Sequence, residues 1–362
     1  MIMPNQVLTH QMIAREAAKM LEEEAPFIAN INKGRQDEFG KDTQGYTKGD
    51  SVKIKIPTAG QVFDGAKFGG AGGAASAVIE ESVTLKLDTQ KHVALQFGAK
   101  EKLLDLTDFK ERILRPQMQT LSSVVEADLI AKGVLAVPNQ VAMSLAGANP
   151  SNALSLARAK LNQYLAPNGD RSAVLSSAAN VALSGEVSRM YNPTRASEKA
   201  YLQGYVASAF GSDLYEHQSI PVFNNGTAAG LTPGQDLGVL QQFIVTDTVT
   251  VGTGTAVSIF PAINATAPNK TTSAGGASGA VVTVVSVNGF QNLEFHKDAF
   301  TAAFAPLPVL ASCEGYTARL PSGISVRVMT FGDGNEDIER TRIDVLYGFQ
   351  TVRPLHACRI TQ

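Results

Sequence analysis

The chain has 362 residues, of which 44% are hydrophobic and 18% charged, with 31 basic against 33 acidic side chains. That length accommodates roughly two to three domains, or one domain with insertions. Near-neutral charge argues against a dedicated nucleic-acid binder with a basic stripe and against a polybasic membrane-surface protein. The two cysteines, Cys313 and Cys358, are too few for a disulfide framework and read as reduced thiols.

The first residues lack a basic segment followed by an apolar run, and no stretch approaches the ~20 apolar residues of a membrane span. Residues 5–24 read as a helix, capped by Asn5 or Thr9 and rich in alanine and leucine. Glu22, Glu23 and Glu24 sit at its C-terminal end, where the helix dipole disfavours them, so the helix calls for a partner surface with basic groups. Pro26 is expected to end it, and residues 27–50, polar and glycine-punctuated, read as an extended arm. Ser51–Ile56 and Val83–Leu87 alternate as strands, joined by a glycine-rich excursion with Gly65, Gly69, Gly70, Gly72 and Gly73. A connection of that length describes a projecting hairpin.

Residues 100–115 hold a short helical segment. Leu114, Met118, Leu121, Val125 and Leu129 then form a helical stripe that runs to about Val137 and stops at Pro138. Residues 150–223 alternate as a mixed α/β lobe: helices over Ser151–Leu165 and Ala178–Met190, strands over Ala173–Ser176 and Tyr215–Phe223. Residues 226–289 lose nearly all charge and read as a small all-β insertion, with strands at Phe243–Thr246, Val249–Val251, Ala256–Phe260 and Ala280–Val287. The C-terminal segment reads as strand, turn and a long strand that continues almost to the last residue. In it Ile343, Val345, Tyr347 and Phe349 point one way and Arg342, Asp344, Gly348 and Gln350 the other.

Motifs for chemistry are weak. The glycine run at 69–74 lacks the lysine and the helix of a phosphate loop. Asp333, Asn335 and Asp337 have calcium-ligand spacing, but Ile338 stands where the loop needs glycine and Asp344 where it needs glutamate, so a strand-to-strand turn is the better reading. His10, His92, His217, His296 and His356 show no metal-ligand spacing, and Glu294, His296 and Asp298 are close by chance of sequence. No catalytic, cofactor or metal residue is assigned, and the chain is not expected to be an enzyme. A soluble α/β enzyme with a β accessory domain is the reading these residues would otherwise allow.

FHKDAFTAAFAPLP and RTRIDVLYGFQTVRPLHACRI resemble the closing segments of tailed-phage major capsid proteins of the P22 coat type. DEFGKDTQGYTKGDSVKIKIP, ERILRPQMQTLSSVVEADL and LQQFIVTDTV are similar to that family's arm-to-strand passage, the start of its spine helix and the start of its insertion. The resemblance implies an α+β Hong Kong 97-type capsid fold, with a nanocompartment shell of the same fold as the rival it leaves open. Its parts would be an N-terminal arm (1–50), peripheral-domain strands (51–98) with an extended hairpin loop (about 58–82), and a peripheral domain with the spine helix (99–148). An axial domain (149–225), the all-β insertion (226–289), an axial return (290–335) and a C-terminal strand back to the peripheral domain (336–362) would follow. It also implies a homo-oligomer of hexamers and pentamers that encloses double-stranded DNA without reading its sequence. Partners would be a scaffolding protein, a portal protein and a decoration protein, with no membrane and no cofactor. Assembly residues would be Phe63, Asp64, Lys67, Phe68, Gly69, Gly70, Gly72 and Gly73 in the hairpin loop, and Arg15, Glu22, Glu23, Glu24 and Arg35 in the arm. Ile343, Val345, Tyr347 and Phe349 would form a clasp between the two lobes. The insertion is short, about sixty residues, and no Lys–Asn pair matches the cross-link of the fold's founding member.

Overall fold

The computed structural model describes residues 10–34, 51–56, 66, 81–98, 114–145, 149–189, 208–218, 220–223, 236–237, 243–247, 256–262, 289–333 and 338–362. Its helices are α1 (His10–Glu23), α2 (Pro26–Asn30), α3 (Arg115–Ala136), α4 (Ser151–Gln163) and α5 (Ser177–Arg189). The first strands are β1 (Ser51–Ile56), β2 (Glu81–Lys86), β3 (Thr89–Gly98), β4 (Gln140–Ala142) and β5 (Arg171–Leu175). Next come β6 (Ser208–Ala209), β7 (Ser212–Glu216), β8 (Val222–Phe223), β9 (Asp236–Leu237), β10 (Phe243–Val245) and β11 (Ile259–Phe260). The last are β12 (Gly289–His296), β13 (Phe300–Ala305), β14 (Glu314–Arg319), β15 (Ser325–Asp333), β16 (Ile338–Thr351) and β17 (Ala357–Thr361).

Helix α3 takes the stripe Met118, Leu121, Val125 and Leu129 into the core, with Pro116 in its first turn, where no intrahelical donor is lost. Ser122, Glu126, Ile130, Gly133 and Val134 are buried too, so a second stripe beside the first is covered. The helix packs against α1 and α2 as well as against β3, β12 and β16.

Residues 27–34 differ from the expected arm. Pro26 opens α2 instead of ending the helical region, and Phe27, Ile28 and Ile31 are buried in the core shared with α3. Pro at the first helical position fixes φ for a new turn. Burying each large apolar side chain contributes about 1.5–3 kcal/mol, more than extended chain in water can offer.

Two sheets flank this helical layer. One has five strands, with β16 as its hub: β16 pairs antiparallel with β3, β13 and β15, and β14 pairs with β15. The other has the order β4-β17-β12-β5-β7-β6, with β8 also on β12. β1 and β2 form a two-stranded ladder, and β9, β10 and β11 form a small three-stranded one.

The pairing changes three expectations. The long C-terminal strand stops at Thr351; Pro354 opens a 3-10 turn over Pro354–His356, and β17 joins the seven-stranded sheet. The residues expected as an axial return divide: β12 lies in the seven-stranded sheet, while β13, β14 and β15 share a sheet with β16. The strand expected at Tyr215–Phe223 is two pieces, β7 beside β5 and β8 on β12; Pro221, with no N–H to donate, separates them. Of the helical segment expected at 100–115, residues 100–113 lie outside the described residues, as do the strands expected at 249–251 and 280–287.

Two chain crossings join the sheets: β12 to β13 through a 3-10 turn at Lys297–Ala299, and β16 to β17 through the turn at Pro354–His356. They lie side by side, and the N–H groups of Val352 and Arg353 both bond Ala299 O. Around the junction Phe27 meets Phe295 edge-on with ring centroids 5.1 Å apart, and Phe300 stacks on Phe349 at 5.7 Å. α2, β12, β13 and β16 thus each place a ring in one cluster.

Candidate assembly site

The β1–β2 stem runs in register from Ser51 opposite Lys86 to Ile56 opposite Glu81, so the ends of the stretch 57–80 are held side by side. The alternation works as a foot. Ile54 and Leu85 are buried with Ala303 and Val352, while Lys53 and Lys55 face solvent. Gly348 seats this foot on β16, because a Cβ there would stand 2.1 Å from Lys86 O. The candidate loop residues Phe63, Asp64, Lys67, Phe68, Gly69, Gly70, Gly72 and Gly73 lie outside the described residues, as does Arg35.

In the N-terminal segment Arg15 is exposed on α1. The acidic end of α1 finds partners within this chain. Glu22 lies 3.8 Å from Lys33 Nζ, Glu23 pairs with Lys19 at 3.6 Å, and Glu24 accepts from Gln119 Nε2 at 3.2 Å. Burial lowers the pKa of Lys33, with Glu22 opposing that shift and Lys297 adding to it.

Of the candidate clasp residues, Ile343, Val345 and Tyr347 are fully buried and Phe349 packs partly buried against the same core. Tyr347 also binds across to the long helix. Its hydroxyl donates to Asp128 Oδ2 at 2.7 Å, and Lys132 bridges Asp128 at 3.0 Å while lying over the Tyr347 ring. Burial, reinforced by Asp128, pushes the Tyr347 pKa up.

Sequence reasoning missed four polar contacts that fix the arrangement. Asp344, taken as an outward position, is buried and saturated. Its Oδ2 accepts from Arg327 Nη2 at 2.8 Å and Nε at 3.2 Å, and its Oδ1 from Arg342 Nε at 2.6 Å and Gln90 Nε2 at 3.0 Å. Glu126, on the apolar side of α3, accepts from the Phe27 N–H at the start of α2 and faces His217 Nε2 just beyond β7. Asn139 donates to Leu355 O inside the second crossing and to Ala357 O just after it. Glu294 accepts from Ser212 Oγ at 2.7 Å, and burial pushes its carboxyl up to about 7 against the opposing effects of Ser212, Arg171 and Arg158. The one sequence signal was a glutamate inside an apolar periodic stretch, which marks Glu126 and Glu294 as buried polar positions.

His296 accepts from the Asp298 N–H through Nδ1 and caps the 3-10 turn of the first crossing; burial lowers its pKa. Its ring lies 6.2 Å from that of His356, whose pKa is lowered to about 4, first by burial and then by Arg353 and His296. Among the described residues no group of three or more His, Cys, Asp or Glu is placed to hold a metal ion, and no helix is long and apolar enough to cross a membrane. Cys313 and Cys358 are not joined in a disulfide, and the Cys358 thiol donates to Arg359 O at 3.6 Å. A cavity of about 760 Å³ opens where the stem, the end of α3, strands β10 and β11 and the second crossing meet, walled by Val83, Leu135, Ile244, Phe260 and Pro354. These contacts hold extensions and sheets in fixed relation.

The family described as P22 coat protein, gene protein 5, matches this chain over residues 41–234 and 233–359. No curated protein matches it. Among solved structures, the capsid of cyanophage P-SCSP1u is 12% identical with a TM-score of 0.50, covering 93% of this chain and 98% of its own. A structure from Mycobacterium phage Che8 is 15% identical with a TM-score of 0.49, covering 92% of this chain and 90% of its own. The mature capsid of bacteriophage PhiM1 is 11% identical with a TM-score of 0.49, covering 87% of this chain and 82% of its own.

Proposed function

The chain belongs to the P22 coat protein family and is a capsid shell protein with an α+β fold of the Hong Kong 97 type; from that premise we propose that it is the major capsid protein of a tailed bacteriophage. In this reading it builds an icosahedral shell of hexamers and pentamers around a double-stranded DNA genome. It assembles in the host cytoplasm on a scaffolding protein, with a portal ring at one vertex, and the resulting procapsid matures. A decoration protein is a further partner. The protein acts by shape and has no catalytic activity of its own.

The observation that carries the reading is the family match, which spans nearly all of 41–359. Physical features support it. The charge balance of 31 basic to 33 acidic residues suits a wall that must not grip DNA. A stem footed on β16 would hold the 57–80 stretch out to a neighbour, and closed rings of such contacts gain strength by repetition. The candidate residues at 63–73, Arg15 and Arg35 remain assembly positions in this proposal.

The test is expression with the scaffolding protein encoded beside it, followed by electron microscopy and nuclease treatment of particles from infected cells. Closed icosahedral shells and nuclease-protected double-stranded DNA are expected. Monomers and dimers only, with scaffolding protein present, would overturn the reading.

A further inference from the structure

Two bulky apolar residues hold left-handed backbone conformations at one end of the seven-stranded sheet. Leu165 has φ +57° and Phe210 φ +54°. Leu165 closes α4: its N–H bonds Asn162 O and the Ala166 N–H bonds Leu161 O, a helix ending whose left-handed residue is usually glycine. Phe210 and Gly211, the latter at φ +84°, make the two-residue turn between β6 and β7, a place suited to asparagine and glycine. A side chain at such a φ costs about 1–2 kcal/mol. The chain's own core leaves Leu165 87% exposed and encloses Phe210 only in part, at 40% exposed.

The two positions share one tip. Arg171 at the start of β5 donates to Asn162 Oδ1, Ala166 O and Pro167 O, which ties the Leu165 loop to that sheet end. Ser172 pairs with Asp213, so the Phe210–Gly211 turn lies at the same end, and the Arg158 guanidinium of α4 lies 3.7 Å from where a Cβ on Gly211 would be. Within residues 165–170 and 208–211 only Asp170 carries charge.

We infer that Leu165 and Phe210 are an intersubunit contact that inserts into a neighbouring copy of this chain. The step rests on the capsid reading. Two side chains offer far less than the ~800 Å² per partner of a stable isolated interface, so a partner bound singly would gain too little. A small contact becomes sufficient when ring symmetry repeats it between identical subunits. The exposed charges at the tip, Asp170 and Asp213 against Arg158, are of both signs, so copies of it bring little like-charge repulsion to one another. Backbone strain held at an exposed apolar position fits a contact completed only in the assembly.

Glycine separates the two roles of these residues, because it relieves the strain and deletes the contact together. Leu165→Gly and Phe210→Gly, with Leu165→Asn as a second left-handed replacement, should leave the subunit's melting temperature unchanged or raised. Shell yield, or the denaturant-resistant particle fraction, should fall about ten-fold per position, the equivalent of about 1.4 kcal/mol per contact. Wild-type shells with variant shells of equal yield and stability would overturn the inference while leaving the capsid reading intact. Variants that fail to fold would also overturn it, since the side chains would then serve the chain's own core. Variants that form normal shells but no longer retain scaffolding protein would move the contact to that partner. A wild type that forms no shells would sink the capsid reading itself.

Discussion

Asp344 in the five-stranded sheet meets four N–H donors, whereas Glu294 in the seven-stranded sheet meets one hydroxyl, its Oε2 having no hydrogen-bond partner among the described residues. Both carboxylates are buried at 1% exposure. The difference lies in what surrounds them. Arg327 and Arg342 come from the same sheet face as Asp344. Arg171, the guanidinium that acts most strongly on Glu294, spends its donors on two carbonyls of the loop after α4 and on the Asn162 side chain in that helix's last turn. One sheet therefore has a matched charge and behaves as a plate, while the other carries a carboxyl that can change its protonation near neutral pH.

The largest test of that contrast removes each carboxylate. Asp344→Ala leaves Arg327 buried without its counter-ion and should cost about 3–5 kcal/mol in urea unfolding. Glu294→Gln at pH 8 should cost little or stabilise, since it deletes a charge that burial disfavours. Equal losses from the two would erase the distinction between the sheets. Next in size, Tyr347→Phe removes a hydrogen bond to a charged acceptor between β16 and α3 and should cost about 1.5–3 kcal/mol. A loss below a few tenths would mean that Asp128 and Lys132 re-pair without it.

Gly348→Ala probes the seat of the hairpin stem. A Cβ would stand 2.1 Å from Lys86 O, so the β1–β2 ladder must shift off β16, at a cost of about 1–3 kcal/mol by analogy with overpacked cores. Hydrogen exchange should rise at Ile54 and Leu85 more than in α3. Uniform exchange across both regions would show that the stem is not separately seated.

Much of the fold was legible, for reasons that name their own limits. The α3 stripe and the β1 and β2 alternation are periodic in apolar residues, and the structure follows them. β3 was missed because its inward positions are mixed in chemistry: Thr89, Lys91, Val93 and Leu95 alternate by burial but not by hydrophobicity. The helical turn at Pro26 was misread because a proline that ends one helix also suits the start of another. Sheet membership was not legible at all, since β13 and β17 differ in partner, not in composition. The burial of Ile343, Val345 and Tyr347 was legible from alternation, yet Asp344 could not be turned inward without seeing Arg327 across the ladder. Glu126 and His217, 91 positions apart by subtraction, show the same limit: long-range charge pairs leave no periodic trace.

The smallest expected effect in the wild type is the most discriminating, because two larger ones cancel in it. Burial lowers His356 from 6.5 to about 4 in the folded chain, so the unfolded chain binds the proton more readily between those values. Stability from this group is lost as pH falls from 6.5 through 4. Glu294 is raised from 4.5 to about 7, so its contribution is fully present below 4.5 and is lost as pH rises through 7. Between pH 7 and 4.5 acidification thus weakens the protein through the crossing and strengthens it through the sheet beside it. Each effect is on the order of 2 kcal/mol, and the wild-type melting temperature should be nearly flat over that window. Glu294→Gln should tilt the profile toward loss in acid, and His356→Asn toward gain. Profiles that tilt the same way in both variants would show that the two groups are not independent. The 3-10 crossings would then move with the seven-stranded sheet as one element, and the contrast between a fixed plate and a titratable neighbour would have to be redrawn at the aromatic junction.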